Sequence, residues 1–241
     1  MMQEETVLSR EFDGSFIRKL RRGVREKLGY SVGERAVPEE IEKTLDDAVA
    51  AIEKYTVFRV IYRVLPVGKI DERGIHTKAG MIKSVMLSRI ARQCKGKRFA
   101  AFMVATLGGE YEGIGDARES LTERFVFDMA GSECIEMAAD VLEAEWKKGV
   151  KSRDFAYSLR FSPGYCDWPL EGQAVLFNAL DAGRIGVRLT PHSVMIPKKS
   201  ISAVALMAEE VPVVSPCVFC QKGDCPWRRG APDKEDKKLV R

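Results

Sequence analysis

Helical and strand periods follow one another irregularly along this chain. Phe16, Ile17, Leu20, Val24 and Leu28 form an apolar stripe among arginines and lysines, and Gly29 is a natural stop. Pro38, followed by Glu39 and Glu40, fits the first turn of a second helix. In it Ile41, Leu45, Ala48, Val49, Ile52 and Tyr55 recur at helical spacing. TVFRVIYRVL (56–65) is rich in β-branched and aromatic residues and ends at Pro66, which predicts a strand. Residues 79–94 read as a helix on the spacing of Met81, Val85, Leu87, Ser88 and Ala91. RFAAFMVATL (98–107) reads as a buried strand closed by Gly108 and Gly109. A long helix is expected over about 116–148, with Leu121, Phe125, Met129, Ser132, Ile135, Ala139, Leu142 and Trp146 on its inner face. Residues 169–183 predict a helix between Pro169 and Gly183, RIGVRLT (184–190) a half-buried strand, and KSISAVALMA (199–208) another strand. There is no internal repeat and no steady βαβ alternation, so the pattern indicates an α+β fold rather than a doubly wound sheet.

The pattern divides into three segments: a basic helical N-terminal extension (1–34), a central domain (35–211) and a Cys-rich tail (212–241). From Pro212 onward the chain carries four of its ten prolines, three cysteines and a charged end, a composition expected of an appended tail with a disordered terminus. With 45% hydrophobic residues in 241, there is enough apolar surface for a substantial core. A net charge of +4, set among 31% well-mixed charged residues, does not by itself indicate a nucleic-acid partner. The start, MMQEETVLSREF, lacks the apolar core of a signal peptide, and no run approaches the roughly 20 apolar residues of a membrane helix. The expectation is a cytosolic protein, in which structural disulfides are not expected among Cys94, Cys134, Cys166, Cys217, Cys220 and Cys225.

The segment LRFSPGYCDWP (159–169) carries the most specific chemistry. Arg160 offers a planar fork able to hold a carboxylate with two parallel hydrogen bonds. Pro163 stiffens the approach, and Gly164 lets a ligand come close to the backbone or a turn adopt positive φ. Tyr165 supplies a ring face that attracts a cation, and a hydroxyl. The group suits an amphoteric ligand with a carboxylate, a cation and a flat ring. The same residues also describe a common Pro-Gly turn beside a surface arginine and a packed tyrosine.

RFSPGY has the Arg-x-x-x-Gly-Tyr pattern of the activation domain of cobalamin-dependent methionine synthase, and the resemblance continues through DWPLEGQAVLFNALDAGRIGVRLTPHSVMIPKKSISAV. Upstream, ATLGGEYE and DMAGSECIE resemble the stand-alone bacterial form of that domain, and the likeness spans about residues 35–208. It implies an antiparallel twisted sheet with flanking helices and a site for S-adenosylmethionine. Arg160 would hold the methionine carboxylate, with Gly164 and Tyr165 along the ligand's path and Pro163 stiffening the approach. It also implies a role in reductive methylation of cobalamin carried by a separate methionine synthase or corrinoid methyltransferase, with an electron donor. The cofactors carry that chemistry and the protein positions them. The reaction would belong to the complex, and no side-chain nucleophile is needed. Cys166 and Asp167 depart from the short segment that follows the tyrosine in the fused synthase. Neither His76 nor His192 lies in a cobalamin-ligand motif.

Two further groups stand out. In FDMAGSECIEMAAD, Asp128 borders an apolar stripe while Gly131 and Ser132 open a gap in the side-chain wall. Either a helix crosses there, or a ligand approaches with Asp128 facing its cationic groups, and Glu136 is a weaker candidate for the same role. In CVFCQKGDCPWRR, Cys217 and Cys220 have the spacing of two thiolates on one metal, and Cys225 is a candidate third ligand. Zinc, an iron–sulfur cluster and a redox-sensitive thiol group all remain open. The basic run IRKLRRGVREK (17–27) lacks a DNA-binding module around it and reads as a solvated helix face or a dock for an acidic partner. The leading expectation is a stand-alone S-adenosylmethionine-binding reactivation protein. Its rivals are a metal-dependent electron-transfer or sensing adaptor built on the cysteine tail, and a nucleic-acid-binding zinc protein.

Overall fold

The computed structural model describes residues 5–30, 36–151 and 154–212. Its elements run β1 (Thr6–Arg10), α1 (Gly14–Lys27), α2 (Glu39–Tyr55), β2 (Phe58–Pro66), β3 (Ile70–Asp71), β4 (Gly74–Thr77), β5 (Gly80–Ile82), α3 (Val85–Gln93), β6 (Phe99–Thr106), α4 (Glu110–Asp116), α5 (Leu121–Lys151), β7 (Ala156–Tyr157), α6 (Gln173–Ala179), β8 (Arg188–Leu189), β9 (Met195–Ile196) and β10 (Ser200–Ala208). The main sheet has the order β1-β2-β6-β10-β7, and every pairing in it is antiparallel. The fold is α+β, a curled antiparallel sheet with helices on both faces.

β6 and β10 read as near-continuous apolar runs because both of their faces are covered, while β2 carries Arg59 and Arg63 among its apolar residues. Alternate residues go to opposite cores. Phe58 and Val60 of β2, Met103 and Ala105 of β6, and Ile201 and Ala203 of β10 pack with α1, α2, α4 and α5. Ile61 and Leu65, Phe102 and Val104, and Val204 and Leu206 pack on the other face with α3 and α6.

The N-terminal segment joins this packing. β1 pairs along β2 from Thr6 opposite Tyr62 to Arg10 opposite Phe58. Leu20 and Val24 of α1 are fully buried. Asp13 caps α1 by accepting from the backbone N–H groups of Ser15 and Phe16.

Three expected elements differ from those observed. The stretch 79–94 splits into β5 and α3, because Ser84 turns the chain and caps the helix by accepting from the Leu87 N–H. The long helix starts later than expected, at Leu121, and runs on to Lys151, with the separate short α4 ahead of it. Leu121 and Phe125, expected on its inner face, are 80% and 57% exposed, since the buried stripe runs through Val126, Phe127, Ala130 and Cys134 instead. Most of 184–190 is not strand. A 3-10 turn over Ala182–Ile185 ends at Gly186 with φ 79°, leaving only the two-residue β8.

Candidate functional site

The segment after β7 lies along the free edge of β10. Phe161 and Val204 exchange both backbone hydrogen bonds, each N–H to the other's carbonyl at 2.8 Å. Phe161 points into the core beneath α3 and α6. By strand alternation its neighbour Arg160 points to the opposite face, toward α5.

There the Arg160 guanidinium meets three carboxylates. Nη1 donates to Asp140 Oδ1 at 2.6 Å and to Glu143 Oε2 at 2.8 Å, and Nη2 donates to Glu136 Oε2 at 2.7 Å. The acids are spaced by four and three residues, which places them on one face of α5. Lys147 Nζ lies 2.7 Å from the other oxygen of Glu143. Two cations against three carboxylates leave this cluster one negative charge in excess. Burial acts to lower the Arg160 pKa, but Asp140 and Glu136 outweigh it and raise it above the usual value, so the guanidinium stays charged. Burial, helped by Glu143 and opposed by Arg160, holds the Tyr157 hydroxyl well above its ordinary range. Among the acids, Asp140 is the most open to solvent at 53% and Glu143 the least at 9%.

The loop following Arg160 is braced from behind. Pro163 is buried and Gly164 is exposed. Gly164 has φ 89° and donates its N–H to the Trp168 carbonyl at 2.8 Å, a conformation that suits glycine. Tyr165 is 60% exposed at the tip. Asp167 ties the loop to α3: one carboxylate oxygen accepts from Ser84 Oγ at 2.7 Å and the other from the Met86 N–H at 2.9 Å. The Trp168 side chain plugs the core. Of the two departures, Asp167 therefore has a local structural role, anchoring the loop beside the packed Trp168.

Asp128 is not among Arg160's partners. It accepts from Lys199 Nζ at 2.6 Å, and Lys199 also donates to Ser132 Oγ at 2.9 Å. Eight residues separate Asp128 from Glu136, about 12 Å along the helix. The gap at Gly131 is filled by another segment. A Cβ there would stand 2.7 Å from Tyr111 Cε1 and 3.1 Å from Lys199 Cε. The structure thus brings together Arg160 with Glu136, Asp140 and Glu143, and sets Pro163, Gly164 and Tyr165 in the adjoining loop. Asp140, Glu143 and Lys199 were not singled out in the sequence. The acid spacing on one helical face was the signal for the first two, and nothing local marks Lys199.

Cys217, Cys220 and Cys225 lie outside the described residues. Among the described residues no group of three or more His, Cys, Asp or Glu is arranged to hold a metal ion. No helix among them is long and apolar enough to cross a membrane. An open groove between α2 and α4, lined by Ala51, Lys54, Tyr55, Ile114 and Arg118 among others, contains none of the residues nominated from the sequence.

No family model matches this chain, and no curated protein matches it. Among solved structures it is similar to a crystal structure of the MetH reactivation domain bound to AdoHcy. The TM-score is 0.61 and the identity 15%, over 89% of this chain and 82% of that one. The order of elements and the curled antiparallel sheet are therefore a fold like that of the MetH reactivation domain.

Proposed function

We propose that this chain binds S-adenosylmethionine along the edge of β10 and supports AdoMet-dependent reactivation of a cobalamin-dependent methyltransferase carried on another chain. The observation that carries the reading is the Arg160 cluster, set beside the Gly164–Tyr165 loop in a fold like the MetH reactivation domain. The ligand has one carboxylate, one ammonium and one sulfonium, a net charge of +1. The cluster offers one guanidinium fork and an excess of one negative charge, so the two are complementary in sign and in kind.

In this reading Arg160 turns part of its fork to the ligand carboxylate. Asp140, the most exposed of its partners, is the one released, and with Glu136 it faces the cationic groups. Glu143 stays in place, pinned between Arg160 and Lys147. Gly164 permits close backbone approach, Pro163 stiffens the turn, and the exposed Tyr165 ring lies against a cation or the flat base. Asp128 stands about two turns away on the same helix, held by Lys199. S-adenosylmethionine supplies an electrophilic methyl on sulfur. The chain's own contribution is to hold and orient it, without a nucleophile. Cobalamin, the electron donor and a metal on Cys217, Cys220 and Cys225 are parts of the proposal that reside in partners or in the tail.

Calorimetry on the full chain tests this. S-adenosylmethionine is expected to bind saturably, S-adenosylhomocysteine more weakly for want of the sulfonium charge, and Arg160→Lys to weaken binding by about 1.5–3 kcal/mol, as for hydrogen bonds to a charged group. Absence of binding to the folded wild type would overturn the reading.

A further inference from the structure

On the opposite face of the sheet, one arginine has no counterpart. Arg59 of β2 pairs across to Ser9 of β1 and Thr106 of β6, and the row continues to Ser200 of β10. It shares its face with Ile61 and Leu65, beneath α3 and α6. Its Nε is out of reach of solvent and makes no hydrogen bond. The guanidinium has no ion pair among the described residues. Arg160 is the contrast, with three carboxylates on its fork.

The surroundings hold this guanidinium in place without neutralising it. Its Nη2 lies against Gly108, where a Cβ would approach to 2.9 Å. Gly108 has φ 85°, so the conformation calls for glycine, and a side chain there would push the end of Arg59 aside. The hydroxyls of Thr106 and Ser200 are engaged with each other and with the turn. Thr106 Oγ1 accepts from the Gly108 N–H at 3.0 Å and from Ser200 Oγ at 2.9 Å, and Ser200 Oγ also lies 2.7 Å from the Pro197 carbonyl. They brace the Gly108 turn, and neither of them is hydrogen-bonded to the guanidinium. A buried Nε–H without an acceptor is costly, and a planar oxyanion is the chemical complement of the guanidinium fork. Arg59 is only half-buried, so the fork can be reached from solvent.

We propose that Arg59, seated on the Gly108 turn, is a binding site for a small oxyanion, a carboxylate or a phosphate group. It is separate from the Arg160 cluster and does not depend on the function proposed above. The sequence ATLGG, which closes β6, thereby acquires a role: Thr106 and Gly108 shape the seat and Arg59 supplies the charge.

The test is thermal unfolding of the full chain in rising potassium phosphate or potassium acetate, at ionic strength held constant with potassium chloride. Alongside it, the Arg59 Nε–H resonance of the wild type is followed by NMR through the same titrations. One or both anions are expected to raise the wild-type midpoint beyond chloride and to move that resonance saturably. A response to phosphate alone assigns a phosphate group, and a response to acetate alone a carboxylate. Arg59→Gln is expected to weaken the apparent affinity about tenfold or more, and Arg59→Lys less. If Arg59→Gln does not fold, the wild-type resonance decides. A resonance that neither anion moves, or an equal midpoint response in Arg59→Gln, overturns the proposal.

Discussion

Replacing Gly172 by alanine separates packing from backbone conformation at the base of the candidate site. Gly172 has φ −59° and ψ −14°, which any residue adopts without strain. On conformation alone alanine would stabilise the chain by about 0.4–1 kcal/mol through the unfolded state. The space is the obstacle. A Cβ at 172 would lie 2.0 Å from Trp168 Nε1, 2.6 Å from Cδ1 and 2.9 Å from Cε2, and the indole is only 3% exposed. Trp168 Nε1 has no hydrogen-bond partner, so moving the ring loses packing rather than a hydrogen bond. Forcing a methyl into a packed core costs about 1–3 kcal/mol, and expelling the indole costs up to the 3–5 kcal/mol typical of large aromatic truncations. With the conformational gain subtracted, the net expectation is a loss of about 0.5–2.5 kcal/mol if the indole shifts in place and about 2–4.5 kcal/mol if it is expelled, at about 2–4 °C of melting temperature per kcal/mol in a chain of this size. The Trp168 carbonyl accepts the Gly164 N–H, so the same change is expected to loosen the loop and, under the proposed function, to weaken S-adenosylmethionine binding. Urea unfolding with tryptophan fluorescence, followed by calorimetry, measures both. Unchanged or raised stability in Gly172→Ala would refute this packing argument.

Three further outcomes are expected. Asp167→Ala removes the acceptor for the Met86 N–H and Ser84 Oγ and should cost about 0.5–2 kcal/mol, as for a lost helix cap, measured by urea unfolding. Asp71 is held down to about 2 by its hydrogen bond from His76, with help from the Arg73 N–H. A carboxylate depressed in the folded state adds stability above its unfolded pKa, about 3.9. That stability is lost as pH falls toward 2, so Asp71→Asn should flatten the acid limb of the melting profile between those values. Deleting residues 1–11 strips β1 from β2 and exposes a strand edge, so the truncated chain should self-associate in size-exclusion chromatography.

The parts of the fold legible in the sequence are those whose residues decide their own state. β6 and β10 are visible as apolar runs because both faces are buried, β2 by its β-branched and aromatic residues before Pro66, and α2 because its stripe and acidic first turn agree. β1 was hidden because a five-residue edge strand with polar positions is defined by its partner, not by its own period. β5 was absorbed into an expected helix since Met81 and Val85 fit either period, and only the Ser84 cap separates them. In the site, Arg160 and the Gly164 turn were legible from residue type. The acids that meet Arg160 lie 17 to 24 residues away, and Lys199 reaches Asp128 across 71. Such pairings arise from how α5 lies across the sheet, which no local pattern records.

The most direct test of the central claim is ultraviolet cross-linking of labelled S-adenosylmethionine to the folded full chain, followed by peptide mapping. The account predicts saturable label on the peptide containing Arg160 to Tyr165, competed by S-adenosylhomocysteine and reduced in Arg160→Lys. Saturable label confined to another part of the chain, or none at all, would contradict it.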